Sequence, residues 1–338
     1  MVLVVAILVA VGISGLLIMA SGAGVWDSYK ALLQGAVGSR RSILESLVQA
    51  TPLIFTGLAA AVAFRAKVWN IGGEGQFFAG AMGAWWIADA AGNTLPQFLM
   101  LPLIVVFGAM AGALWAGIAG FLKARYGTNE IIVTVMMNFI ILYILSWLLS
   151  GPWQAPEEFY FQTVKMPEST WMPTLFADGR LHWGFVLAII AAIVVYILER
   201  KTPLGFEIRG LGINAVAARF KGISVARTTI VVMLISGALA GMAGMVEVSA
   251  IHHRLQLDIS IGYGFIGIII ALIGRLHPAG VVATAFAFGA LVNGATFMQI
   301  TTGTPAPLVD VIQGLVLITV LIGAVVVQYR IRRLSHDG

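Results

Sequence analysis

Five residues carry most of the chemistry this chain can offer. Asn70, Glu74 and Gln76 lie in WNIGGEGQF, Asn138 lies in the apolar run 131–149, and Glu247 lies in the run 228–250. Each puts an amide or a carboxylate among apolar neighbours. An ionised side chain at the middle of a bilayer costs about 2.5–3.5 kcal/mol on insertion scales, so each needs a compensating role. One role is to line a path for a polar solute. The other is to bond a neighbouring helix. Around Glu74, the glycines Gly72, Gly73 and Gly75 permit a sharp bend. The structural alternative there is a helix entry, with Asn70 as cap and Glu74 near the positive helix end. For Glu247 the alternative is an ion pair with His252, His253 or Arg254. Asn293, Gln299 and Asp310 pose the same choice.

Other chemistries lack the residues they need. The chain has no cysteine, so thiol catalysis, disulfides and Cys-ligated metals are excluded. There is no GxxxxGK[ST] phosphate loop, no nucleophile elbow and no HExxH. His252 and His253 lie near Asp258, but adjacent helical residues point apart, so no metal site is expected. No catalytic residue and no cofactor is assigned, and the chain is not read as an enzyme.

The elements that position these groups are membrane helices. Of 338 residues, 59% are hydrophobic and only 10% charged, against about 25% charged in soluble domains. A span needs about 20 apolar residues. Ten candidates follow: Val2–Ala20, Ile43–Phe64, Ile71–Ala90, Phe98–Leu122, Ile131–Leu149, Trp183–Leu198, Thr228–Ala250, Gly262–Ile273, Val281–Met298 and Leu308–Val327. The first lacks the basic flank of a signal peptide, so it is expected to stay in the mature protein. The third is interrupted by glycines and the eighth is short, so either is a candidate for a broken or re-entrant helix. The expected fold is all-α: one polytopic bundle over residues 1–338 with about ten spans.

Positive charge orients the bundle. Of 20 Lys and Arg, only Lys30, Arg40, Arg41, Lys165, Arg180 and Arg254 fall outside if both termini are cytoplasmic. The basic surplus therefore marks membrane-flanking loops, not a nucleic-acid surface. Residues 151–182 form a long external loop with Pro152, Pro156, Pro167 and Pro173 and the acids Glu157, Glu158, Glu168 and Asp178. Its length predicts short structure of its own. Small residues at Gly108-x-x-x-Gly112 and Gly237-x-x-x-Gly241 predict tight helix crossings.

The strongest polar segment is the cytoplasmic loop 200–227. It carries Arg200, Lys201, Arg209, Arg219, Lys221 and Arg227 against Glu207. Within it, Ile213–Lys221 predicts a short helix with Asn214 as cap and Gly222 as stop. Such a helix either rests on lipid headgroups or docks a soluble partner.

Four segments together resemble a known family. NIGGEGQFFAGAMGAW at 70–85, GLGINAVAARFKGISVAR at 210–227, SGALAGMAGMVEV at 236–248 and GYGFIGIIIALIGRLHPAGVV at 262–282 are similar to permease subunits of ABC importers. The group includes ribose-type and branched-chain amino acid permeases, and nucleoside permeases that work with basic-membrane-protein-type lipoproteins resemble it most. The likeness runs from about residue 45 to 325. It implies that loop 200–227 docks in an ATPase subunit. Ala217, Ala218 and Gly222 match the AA-x-x-x-G part of the docking pattern, while Val216 replaces its acidic residue. Gly210, Asn214 and Arg219 complete the implied coupling loop. The resemblance also implies a second permease subunit, related or identical, an external substrate-binding protein, and a bacterial plasma membrane. ATP would be hydrolysed by the partner. A sugar such as ribose or galactose is the alternative cargo. An ion-coupled transporter, with Glu247 as its support, is the alternative class.

Overall fold

The computed structural model describes residues 2–20, 22–156 and 160–328. Glu157 and Glu158 of the long loop 151–182, and Arg330, Arg332 and Arg333 near the C-terminus, lie outside the described residues. The described chain is built from helices: α1 (Val2–Ala20), α2 (Val25–Val37), α3 (Arg40–Arg65), α4 (Gly73–Ala91), α5 (Gln97–Tyr126), α6 (Glu130–Leu149), α7 (Trp183–Lys201), α8 (Pro203–Ile213), α9 (Ala215–Phe220), α10 (Val225–Glu247), α11 (Tyr263–Ile273), α12 (Pro278–Thr302) and α13 (Ala306–Gln328). Among the described residues six segments are long and apolar enough to cross a membrane: α3, α5, α6, α7, α12, and α10 with its continuation to His252. The protein is a multi-pass membrane protein.

Each of the ten expected spans coincides with a helix. Two differences have physical causes. α4 begins at Gly73, so Ile71 and Gly72 are not helical. α11 has 11 residues, about 17 Å at 1.5 Å per residue, shorter than a hydrocarbon core of about 30 Å, as a broken or re-entrant segment would be.

The chain forms two compact units, residues 1–46 with 290–338, and residues 47–289. In the first, α1, α2, α12 and α13 bury Ile18, Ala31, Ala295, Met298, Val309 and Ile312 together. Asn293 on α12 donates to the carbonyls of Gly35 (2.8 Å) and Ser42 (3.0 Å), so its amide bonds neighbouring backbone.

In the second unit, α10 packs against α4 and α5 through glycines. The two small-residue motifs face each other. A Cβ on Gly241 would lie 2.5 Å from the Gly108 carbonyl oxygen, and one on Gly112 would lie 2.7 Å from Gly241 Cα. Gly80 on α4 meets the same stretch of α10. Backbones at this separation gain dispersion contacts that larger residues forbid.

The long loop 151–182 has the short structure its length predicts: a 3₁₀ turn at Glu168–Thr170 and an antiparallel bridge between Thr174 and His182.

Candidate functional site

Four of the polar residues, Asn70, Glu74, Gln76 and Asn138, gather around the non-helical residues that lead from α3 into α4 and the first turn of α4. α6 supplies one wall of it. Glu130, Thr134 and Asn138 are spaced four apart, so they share one face. Glu130 Oε1 accepts from the Trp69 amide (3.3 Å), Thr134 Oγ1 accepts from the Ile71 amide (3.2 Å), and Asn138 Oδ1 accepts from the Gly75 amide (2.8 Å). Asn138 also donates to the Ile71 carbonyl at 3.0 Å. The ladder satisfies backbone groups that no helix bonds. Lys123 on α5 pairs with Glu130.

Inside this stretch Asn70 and Gln76 bond each other through both amide groups, at 2.9 and 2.8 Å. Asn70 also donates to Ser236 Oγ on α10 (2.8 Å), and Ser236 donates to the Ala59 carbonyl of α3 (2.7 Å). One amide pair thus ties three helices. Glu74 accepts the Gly264 amide at 2.8 Å, at the start of α11. Asn70, Glu74, Gln76 and Asn138 are all buried.

Two local expectations need correction. Asn70 does not cap α4. The cap position is Gly72, and Asn70 Oδ1 accepts from Gly72 N before the helix begins. Nor do Gly72, Gly73 and Gly75 adopt the left-handed backbone of a sharp bend. They are small so that neighbours can approach. A Cβ on Gly75 would lie 2.9 Å from Asn138 Oδ1, and one on Gly73 would lie 3.3 Å from Gly264 Cα.

Glu247 stands apart from this cluster. It ends α10, eleven residues beyond Ser236, or about 16 Å along the axis. It is buried and lies 3.6 Å from His252 Nε2. The helix continues as a π-helical turn from Val248 to His252, and His253 follows with φ 55°. π turns mark departures from regular bonding, often at functional places. The loop 151–182 and its Trp171 cover this turn. Met172 N donates to Ser249 O (3.0 Å), Met166 N to His253 O (2.8 Å) and Thr163 N to Leu255 O (3.1 Å). The Trp171 ring stacks on His253 at 4.2 Å, and Lys165 lies 4.3 Å over Trp171. Burial, and then the charge of Lys165, hold His253 below the usual imidazole range. Among the described residues no group of three His, Asp or Glu is placed to hold a metal.

The basic loop 200–227 forms two helices. Thr202 caps α8, accepting from Gly205 N, with Pro203 in its first turn. Asn214 then caps α9, accepting from Val216 N (2.9 Å) and Ala217 N (3.1 Å). The stop is a Schellman turn. Gly222 has φ 82°, its amide donates to Arg219 O (3.0 Å), and Ile223 N donates to Ala218 O (3.1 Å). Ala218 faces inward, whereas Ile213, Val216 and Phe220 are 80%, 66% and 89% exposed. Three large apolar side chains on a polar loop form a surface that water disfavours. Sequence reasoning noted Val216 only as a missing acid. The recurrence of apolar residues at 213, 216 and 220 was the available signal. For Glu130 and Thr134 it was their four-residue spacing with Asn138.

Comparison with known proteins agrees with this architecture. Residues 42–321 match the family described as branched-chain amino acid transport system / permease component. The chain is 36% identical to the guanosine ABC transporter permease protein NupP of Bacillus subtilis, over 94% of this chain and 91% of that one. It is 33% identical to the glucose ABC transporter permease protein TsgB13 of Haloferax volcanii, over 97% and 88%. It is 35% identical to the nucleoside ABC transporter permease protein NupB of Lactococcus lactis, over 85% and 81%. The extent and level of this similarity make the chain a member of that permease family, as a permease subunit of an ABC importer.

Proposed function

We propose that this chain forms the translocation path of an ATP-driven importer for nucleosides in a bacterial plasma membrane. The observation that carries the cargo is its 36% identity, along 94% of its length, to a guanosine permease. In this reading about ten helices span the bilayer, both termini face the cytoplasm, and a second permease subunit, related or identical, completes the path. An external binding protein delivers the nucleoside. A separate ATPase supplies the energy, and this chain hydrolyses nothing.

The coupling surface is α9 with its flanks: Gly210, Asn214, Ala217, Ala218, Arg219 and Gly222. Its exposed Ile213, Val216 and Phe220 supply apolar area for an ATPase cleft. The Asn214 cap and the Gly222 stop make α9 stiff, so that closure of the ATPase moves it as a unit. Rocking of the bundles then alternates access. Asn70, Glu74, Gln76 and Asn138 act on the path by fixing the backbone of residues 69–76, and Glu247 is the buried carboxylate nearer its outer end.

Glucose is the second reading, favoured by the 33% identity to a glucose permease over 97% of this chain. Uptake of labelled guanosine and glucose, in cells with and without this chain, separates the two. Loss of guanosine uptake alone supports the nucleoside reading. Loss of glucose uptake alone overturns it.

A further inference from the structure

Three arginines and one glutamate converge on a cavity of about 360 Å³ lined by Arg65, Glu199, Arg200 and Arg209. Arg65 ends α3, Glu199 and Arg200 end α7, and Arg209 lies on α8. The groups are held in place. Arg65 Nη2 donates to Glu199 Oε2 (3.3 Å) and to the Leu276 carbonyl (2.6 Å). A Cβ on Gly205 would lie 2.6 Å from the Glu199 carbonyl oxygen, so α8 begins directly against the end of α7.

The charges do not balance. All three guanidiniums act electrostatically on Glu199. Glu199 compensates Arg65, but among the described residues Arg200 and Arg209 have no ion-pair partner. Among the described residues, Arg65 Nε and Arg209 Nη1 are buried without a hydrogen-bond acceptor. A buried donor left unpaired is costly, and more so on a charged group. The cavity therefore combines room, excess positive charge and unfilled donors on planar guanidiniums. That set matches a phosphate better than a carboxylate, because several donors at different angles can each take a separate oxygen.

We propose that the cavity between α3, α7 and α8 is a binding site for a phosphate group, carried by an anionic lipid headgroup or free in the cytoplasm. The site is independent of the cargo. Because α8 leads directly into α9, a phosphate bridging Arg200 and Arg209 fixes the start of the coupling loop.

The full chain, purified in detergent and freed of lipid, tests this by thermal unfolding. Inorganic phosphate is titrated against chloride at equal ionic strength. In parallel the chain is placed in phosphatidylcholine nanodiscs with and without phosphatidylglycerol. A higher Tm with phosphate identifies a free anion. A higher Tm with phosphatidylglycerol alone identifies a headgroup. Arg209→Gln weakens the response roughly tenfold, Arg209→Lys restores part of it, and Arg227→Gln, an exposed arginine outside the cavity, leaves it unchanged. Should Arg209→Gln not fold, Arg200→Gln reads the same loss. No response in the wild type to either phosphate or phosphatidylglycerol overturns the site. So does a full response in both the Arg200 and the Arg209 variants.

Discussion

Asn70 and Gln76 bond each other through both of their side-chain amide groups, at 2.9 and 2.8 Å, across the non-helical turn that starts α4. Because Asn70 also holds Ser236 and the Gly72 amide, truncating it strands three buried partners, Gln76 among them. Asn70→Ala is expected to cost about 1–3 kcal/mol. Gln76→Ala is expected to cost a similar amount, and the double variant less than the sum, since the partners are lost together. A double-mutant cycle on thermal unfolding in detergent measures the coupling. Additive costs would mean that the two amides act separately.

Gly241 meets α5 and α4 at once, through Gly108, Gly112 and Gly80. Backbone atoms, unlike side-chain ends, cannot step aside. Gly241→Val should therefore cost at least 1–3 kcal/mol and reduce the yield of monodisperse protein. Gly314→Ala, with open space around its Cα, should leave yield and Tm unchanged. Size-exclusion profiles of the two variants make the comparison. Equal profiles would mean that α10 moves away from α5 at little cost.

The sequence makes helix positions legible because apolar runs of span length leave little choice in lipid. The expected run Ile131–Leu149 and the observed α6, Glu130–Leu149, differ by one residue. Local signals were equally readable: Asn214 and Gly222 bracket α9 as their cap and stop chemistry predicts. α8 was not legible, because Gly205, Gly210 and Gly212 are poor helix formers, and tertiary packing overrides them. α2 was missed because Trp26, Asp27, Lys30 and Gln34 break its apolar pattern. The partners of polar groups were hidden for another reason. Glu74 chooses Gly264 and Asn70 chooses Ser236, both distant in the chain, and an amide or carboxylate does not announce which distant group it meets.

Phe220 offers a direct test of coupling. It is 89% exposed at the end of α9, so Phe220→Asp removes no internal packing. The variant should fold and reach the membrane as the wild type does. Transport and substrate-stimulated ATP hydrolysis by the assembled complex should fall by roughly tenfold or more, the loss expected when a charge replaces an apolar anchor. Gly222→Ala should act more mildly, through about 1 kcal/mol of left-handed backbone strain. Wild-type ATPase stimulation in Phe220→Asp would remove α9 from the coupling surface.

His182, the last residue of the loop 151–182, makes stability depend on pH. It is 1% exposed, and among the described residues neither ring nitrogen has a hydrogen-bond partner. Burial, and then the positive charges of Arg180 and His253, push its pKa down to about 4. In the unfolded chain the ring takes up a proton near 6.5, whereas in the folded protein it does so only near 4. Between those values the unfolded state binds more protons, so stability rises with pH. The contribution is complete above about 6.5 and is lost as pH falls toward 4. At most it is about 3 kcal/mol, from the size of the pKa gap. His253, also lowered, acts in the same direction. The Tm of the wild type should therefore fall between pH ~7 and ~5, where this linkage operates. His182→Phe keeps a ring and removes both unpartnered nitrogens, so its Tm should fall less over the same range. Parallel curves for the two proteins would show that the His182 ring is hydrated and free to charge in the folded state.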